Sequence, residues 1–219
     1  SDGTIAIGQQ ALTTLTSGQG NVAVGYQSLN LEDTGDGNTA LGYKALKACN
    51  GADNNGNTAV GYLAFPDLST GISNVAVGYQ AGLSLTTGDR NTIMGYQALD
   101  AGTTETDDNV AIGYNAMGGA IGTEAVNDCV AVGADALSGA LDSTNGIDEA
   151  SGTVAIGKSA LAALTSGAGN VAVGYEALST EDGSGYSTAI GYQALKDQVG
   201  GTTASDNTAV GYQAALDIT

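Results

Sequence analysis

The stretch Asn21-Val22-Ala23-Val24-Gly25-Tyr26-Gln27-Ser28-Leu29 decides the fold of this chain, because it keeps returning. Twelve times a β-branched residue, a small residue, an aliphatic residue and a glycine follow one another. These units close on Gly8, Gly25, Gly42, Gly61, Gly78, Gly95, Gly113, Gly133, Gly157, Gly174, Gly191 and Gly211. The spacings are 17, 17, 19, 17, 17, 18, 20, 24, 17, 17 and 20 residues. A period of this length means stacked coils, none of which can bury its own apolar side alone. The expected fold is therefore all-β: a parallel β-solenoid of about twelve coils.

Numbering from the glycine exposes the coil. The third residue before it is Val, Ile or Thr in all twelve units, and the residue just before it is aliphatic in all twelve. Ala lies between them in eleven, with Ile93 the exception. Alternation with β-branched enrichment reads as a strand. Its larger residues are expected to point into the coil, leaving Ala and Gly on a flat outer stripe. Solvent would tolerate polar residues there, so the stripe predicts a close neighbour, either a second layer of this chain or other subunits. We take subunits as the expectation, with Ala23, Gly25, Ala40, Gly42, Ala59, Gly61, Ala76 and Gly78 as the packing face.

Eight units carry Asn four residues before the glycine, from Asn21 to Asn207. Stacking aligns these amides into a hydrogen-bonded ladder, interrupted by Thr4, Cys129, Thr153 and Ser187. A plain turn role is compatible with that reading. Directly after the glycine stand Tyr26, Tyr43, Tyr62, Tyr79, Tyr96, Tyr114, Tyr175, Tyr192 and Tyr212. They form a column whose rings either stack for stability or offer a strip to sugars. The rest of each coil is expected to hold a second, weaker strand, such as LTTLT from Leu12, followed by a turn.

A longer period lies inside the short one. Residues 4–47 align with 153–196 without a gap, and 27 of 44 positions are identical. Residues 1–219 thus read as a single array: an eight-coil super-repeat over 4–152 and a partial second copy over 153–219. The chain opens on serine rather than a start residue, which suggests processing or excision from something longer. Neither end shows a polar cap, so neighbouring segments or chains are expected to cover the ends.

Composition narrows the function classes. A net charge of −18 with five basic residues argues against nucleic acid and anionic membrane surfaces. No run approaches the length of a spanning helix. Histidine is absent, which removes most acid–base, triad and zinc chemistry. The carboxylate pairs Glu32–Asp33, Asp107–Asp108, Asp148–Glu149 and Glu181–Asp182 are each adjacent on a loop, not set across a cleft as glycoside hydrolysis requires. No catalytic or cofactor-binding residue is assigned, and the chain is read as not an enzyme. Calcium stays open as a ligand of Asp33, Asp36 and Asn38, or of Asp53, Asn54, Asn55 and Asn57. Ice binding would need an outward Thr lattice, which inward-facing Val and Thr do not supply. Cys49 and Cys129 lie five coils apart, roughly 24 Å at strand spacing, so no disulfide within the chain is expected.

The units NVAVGYQSL, NTALGYKAL, NTAVGYLAF and NVAIGYNAM resemble the head repeats of YadA-like trimeric autotransporter adhesins. They are still more similar to the NTAVGYQAL arrays of phage tail fibres, where Tyr after the glycine is typical. The resemblance covers Thr4 to Ala215. It implies a homotrimer of left-handed β-rolls, located outside the cell, on its surface or on a virion tail, and engaged in host or surface attachment. It carries over no receptor-binding or catalytic residue. The expected function is a rigid fibre segment, with eleven coil steps spanning roughly 53 Å. The alternatives are a carbohydrate-binding module that uses the tyrosines or loops, and a filament whose ends stack head to tail. The partners are then other copies of the chain and a surface glycan or receptor.

Overall fold

The computed structural model describes residues 2–51, 54–102, 106–119, 121, 126–141, 150–198 and 206–216. The chain divides into two compact units, Ser1–Asp107 and Asp108–Thr219. The first holds β1 (Ile5–Ile7), β2 (Val22–Val24), β3 (Thr39–Leu41), β4 (Thr58–Val60), β5 (Val75–Val77) and β6 (Thr92–Met94). The second holds β7 (Val110–Ile112), β8 (Val130–Val132), β9 (Val154–Ile156), β10 (Val171–Val173), β11 (Thr188–Ile190) and β12 (Thr208–Val210). Within each unit the strands pair in parallel and in chain order, so each unit is a β-solenoid with one three-residue strand per coil. No helix occurs among the described residues.

Registry is residue for residue. Val22, Ala23 and Val24 face Thr39, Ala40 and Leu41, and Val171, Ala172 and Val173 face Thr188, Ala189 and Ile190. Backbone bonding between coils runs on past the strand, as from Gly42 N–H to Val24 C=O (2.8 Å) and Lys44 N–H to Tyr26 C=O (2.8 Å). Among the described residues the connecting segments form no second strand: residues 12–16 are turn and irregular, and Ile121 and Leu141 form an isolated parallel bridge. The segments bond upward through side chains instead, Thr14 Oγ1 donating to Asn30 C=O at 3.0 Å and to Glu32 C=O at 2.9 Å. Thr and Ser hydroxyls offer local bonds that compete with strand pairing.

The strand faces are the reverse of the sequence expectation. Ala23, Ala40, Ala59 and Ala76 have no exposed surface within the single chain, while the residues flanking them are half-buried or exposed. The alanines therefore line the interior and cannot be a face offered to other subunits. Gly25, Gly42 and Gly61 belong to the contact between coils. A Cβ at Gly42 would stand 2.1 Å from the Gly61 carbonyl oxygen, and φ there is 141°, a region L side chains rarely adopt. The repeated glycine thus records close approach of successive coils within the chain.

The interior is narrow, so the strand contributes alanine in every coil except that of β6, where it contributes Ile93. Bulk enters from the turn, through Leu29, Leu46 and Phe65, four residues past the glycine and fully buried. These residues take positive φ (45°, 48° and 48°). Such a conformation costs about 1–3 kcal/mol at a non-glycine residue, and burying a leucine contributes about 1.5–3 kcal/mol against it.

The asparagine ladder is present, and it is fully buried from Asn21 through Asn170, with Asn207 half-buried. Asn57 Oδ1 accepts from Asn74 N–H at 2.9 Å, and Asn74 Oδ1 from Asn91 N–H at 2.9 Å. Asn74 Nδ2 donates to the Gly88 carbonyl at 2.7 Å. The amides therefore satisfy interior backbone groups that water cannot reach. At Cys129 the backbone N–H still bonds Asn109 Oδ1 (2.9 Å), and the thiol replaces the amide as donor to Ala150 C=O (3.2 Å). Burial pushes that thiol up to about 11. Cys49 and Cys129 are both buried and free.

Candidate functional site: an exposed aliphatic and tyrosine face

Because alanine points in, the other two strand positions point out. They place Ile5 and Ile7, Val22 and Val24, Thr39 and Leu41, Thr58 and Val60, Val75 and Val77, and Thr92 and Met94 on the surface of the first unit. Ile7 is 60%, Leu41 46% and Met94 45% exposed. The second unit repeats the arrangement with Val154 and Ile156, Val171 and Val173, and Thr188 and Ile190. None of the twelve strands carries a charged residue, in a chain of net charge −18. Thr39, Thr58 and Thr92 face outward, contrary to expectation, but share their row with Ile5, Val22 and Val75 and form no continuous lattice.

Beside this stripe stand the tyrosines, 37–73% exposed. Tyr26, Tyr43, Tyr62, Tyr79 and Tyr96 stack in sequence with centroids 5.0–5.3 Å apart and planes within 15°. Tyr175, Tyr192 and Tyr212 do the same in the second unit at 5.2–5.3 Å. Tyr43, Tyr62 and Tyr79 each have a neighbouring ring on both faces, so they present edges and hydroxyls outward. Sugar stacking needs a free ring face.

One residue further on lies an amide ladder that the sequence reading missed. Gln27 Nε2 donates to Gln10 Oε1 at 2.7 Å, Gln97 to Gln80 at 3.0 Å and Gln213 to Gln193 at 2.9 Å. Glu176 occupies this row, accepting from Gln193 (2.8 Å) and pairing with Lys196 (2.7 Å). Hydrogen bonds from Lys196, Gln193 and Tyr175 hold its carboxyl well below the usual range, at about 2. The recurrence of Gln two residues after the glycine was the available signal.

Two of the residues weighed as calcium ligands are engaged within the chain. Asn38 is turned into the interior ladder, donating to the Asn54 carbonyl at 2.7 Å, and Asp36 Oδ1 accepts the Gln19 backbone N–H at 2.7 Å. Asp53 lies outside the described residues. Among the described residues no three His, Cys, Asp or Glu side chains are grouped to hold a metal ion. Of the carboxylate pairs, Glu32 and Glu181 are buried in the coil interior, and Asp148 and Glu149 lie outside the described residues. No helix among the described residues is long and apolar enough to cross a membrane. No family model, curated protein or solved structure matches the chain.

Proposed function

We propose that this chain is a structural segment of a trimeric surface fibre, of the kind found in adhesins and phage tail fibres, that serves attachment to a host or surface. The observation that carries this reading is the uncharged aliphatic stripe, repeated on every coil of an otherwise acidic chain. A continuous apolar surface of that kind marks an association site in a water-soluble protein. Identical copies supply a matching stripe at the same spacing, so the trimer forms through the Val, Ile, Leu, Met and Thr residues flanking the buried alanines. The tyrosine and glutamine rows lie at the border of this contact and stiffen each unit.

Sedimentation equilibrium of the purified chain tests the assembly. A mass three times that of the chain is expected, and a monomer at micromolar concentration overturns it. Val60→Asp with Val77→Asp should yield folded monomers, since both residues face out. Attachment is tested separately by retention of candidate host cells on immobilised protein. Trimers that retain no cells would leave a scaffold without an adhesive role. The carbohydrate reading finds less support, because the stacked rings keep their faces from a sugar.

A further inference from the structure

The seventh residue after the register glycine forms an interior column, and it is leucine at Leu68, Leu85 and Leu164. Two stacked pairs break the column: Glu32 followed by Cys49, and Glu181 followed by Gln198, all fully buried. The pairs are 149 residues apart, so both copies of the super-repeat place an acid in the same coil. Burying a carboxyl in a leucine column is costly unless each oxygen finds a donor.

One oxygen is satisfied within its own turn. Glu32 Oε1 accepts from Gly35 N–H at 2.5 Å and Thr34 N–H at 3.2 Å. Glu181 Oε1 accepts from Ser184 N–H at 2.6 Å and Gly183 N–H at 3.0 Å. The other oxygen depends on the next coil. Gln198 Nε2 donates to Glu181 Oε2 at 2.6 Å and to Ser187 Oγ at 3.2 Å. In the first copy Asn38 Nδ2 stands 3.5 Å from Glu32 Oε2, and the thiol of Cys49 occupies the place in the next coil that Gln198 holds in the second copy. Burial first, and the adjacent Glu32 second, hold that thiol far above its ordinary range, so it keeps its proton.

We propose that Glu32 and Glu181 determine which coil stacks on which, each accepting above it only a coil that carries a donor at the seventh position. A chain of near-identical strands can pair out of order, since every strand presents the same alternation to every other. Skipping one coil would set Glu32 against Leu68, a carboxyl against a leucine with no donor. The acid therefore penalises the misordered stack more than it stabilises the correct one. This inference is independent of oligomeric state and of any adhesive role.

Thermal melts of four variants followed by circular dichroism test it: Cys49→Leu, Cys49→Gln, Glu32→Leu and the double variant E32L/C49L. Leucine already occupies this position in neighbouring coils, so a purely hydrophobic column would be stabilised by Cys49→Leu. We expect instead that Cys49→Leu lowers the midpoint by several degrees and that Cys49→Gln, which transplants the second copy's donor, keeps it near the parent value. The double variant should recover what Cys49→Leu loses, because the column is then apolar throughout. A C49L midpoint at or above the parent, equal midpoints for C49L and C49Q, or simple addition in the double overturns the proposal. If C49L fails to fold, folding of E32L/C49L supports the proposal and its failure overturns it. Gln198→Leu with and without Glu181→Leu repeats the test in the second copy.

Discussion

The ring of Phe65 fills the space that a Cβ on Gly82 would occupy: such an atom would stand 2.3 Å from Phe65 Cε1 and 3.3 Å from Ile93 Cδ1. Three departures from the repeat are thus one packing solution. Phe65 replaces leucine, Gly82 gives up its side chain above it, and Ile93 replaces alanine in the following coil. Volume added in one coil is removed from the next, as close packing demands.

Gly82→Ala should therefore destabilise by about 2–4 kcal/mol, from overpacking and an unfavourable positive φ together. Phe65→Leu in the same chain should recover part of the loss by vacating the space. Urea denaturation of the single and double variants measures the coupling.

Asn74→Ala should leave the Asn91 N–H and the Gly88 carbonyl without their partners. Each buried group left unsatisfied costs about 1–3 kcal/mol, so a loss of about 2–5 kcal/mol is expected. Hydrogen exchange at the Asn91 amide, read by NMR, should speed up in the variant.

The inversion of the strand faces predicts opposite outcomes at adjacent residues. Ala59→Asp places a carboxylate in an apolar interior and should abolish folding. Val60→Asp, one residue on and half-exposed, should leave a folded chain. Far-UV circular dichroism of the two variants decides which residue faces in.

Glu176 titrates at about 2 when folded, below its ordinary 4.5. Its contribution to stability is thus present above about 4.5 and is lost as pH falls toward 2. Lys196, raised by the Glu176 hydrogen bond, contributes fully below its ordinary 10.5 and loses that contribution as pH rises through its folded value. Glu176→Gln should flatten the acid limb of a melting-temperature profile between pH 5 and 2 relative to the parent chain. An unchanged limb would show that the pair carries no stability.

Much of the coil was readable without coordinates. The asparagine ladder and the tyrosine columns follow from identical residues recurring at one register, which parallel stacking converts into contact. The direction of the strand side chains did not follow. Ala23 is flanked by Val22 and Val24, and a hydrophobicity argument turns the larger residues inward. Residue size carried the missing signal: the middle position is alanine in eleven of twelve units, whereas the residue before the glycine ranges from valine to methionine. Invariant smallness belongs to a tightly packed interior, and varied bulk to a surface with room. The inward turn of Leu29 was illegible for another reason, since its positive φ is one that leucine seldom adopts.

What the sequence by itself determined is the period, the parallel register and the columns that register creates, because these depend only on which residues recur and how far apart. What the tertiary structure alone decided is which side of each strand is the inside. A coil of about seventeen residues closes on an interior so narrow that the strand contributes alanine in every coil but that of Ile93, which faces Gly82, and leucine enters from the turn. That limit leaves the aliphatic residues outside and makes them the surface on which association of this chain would depend.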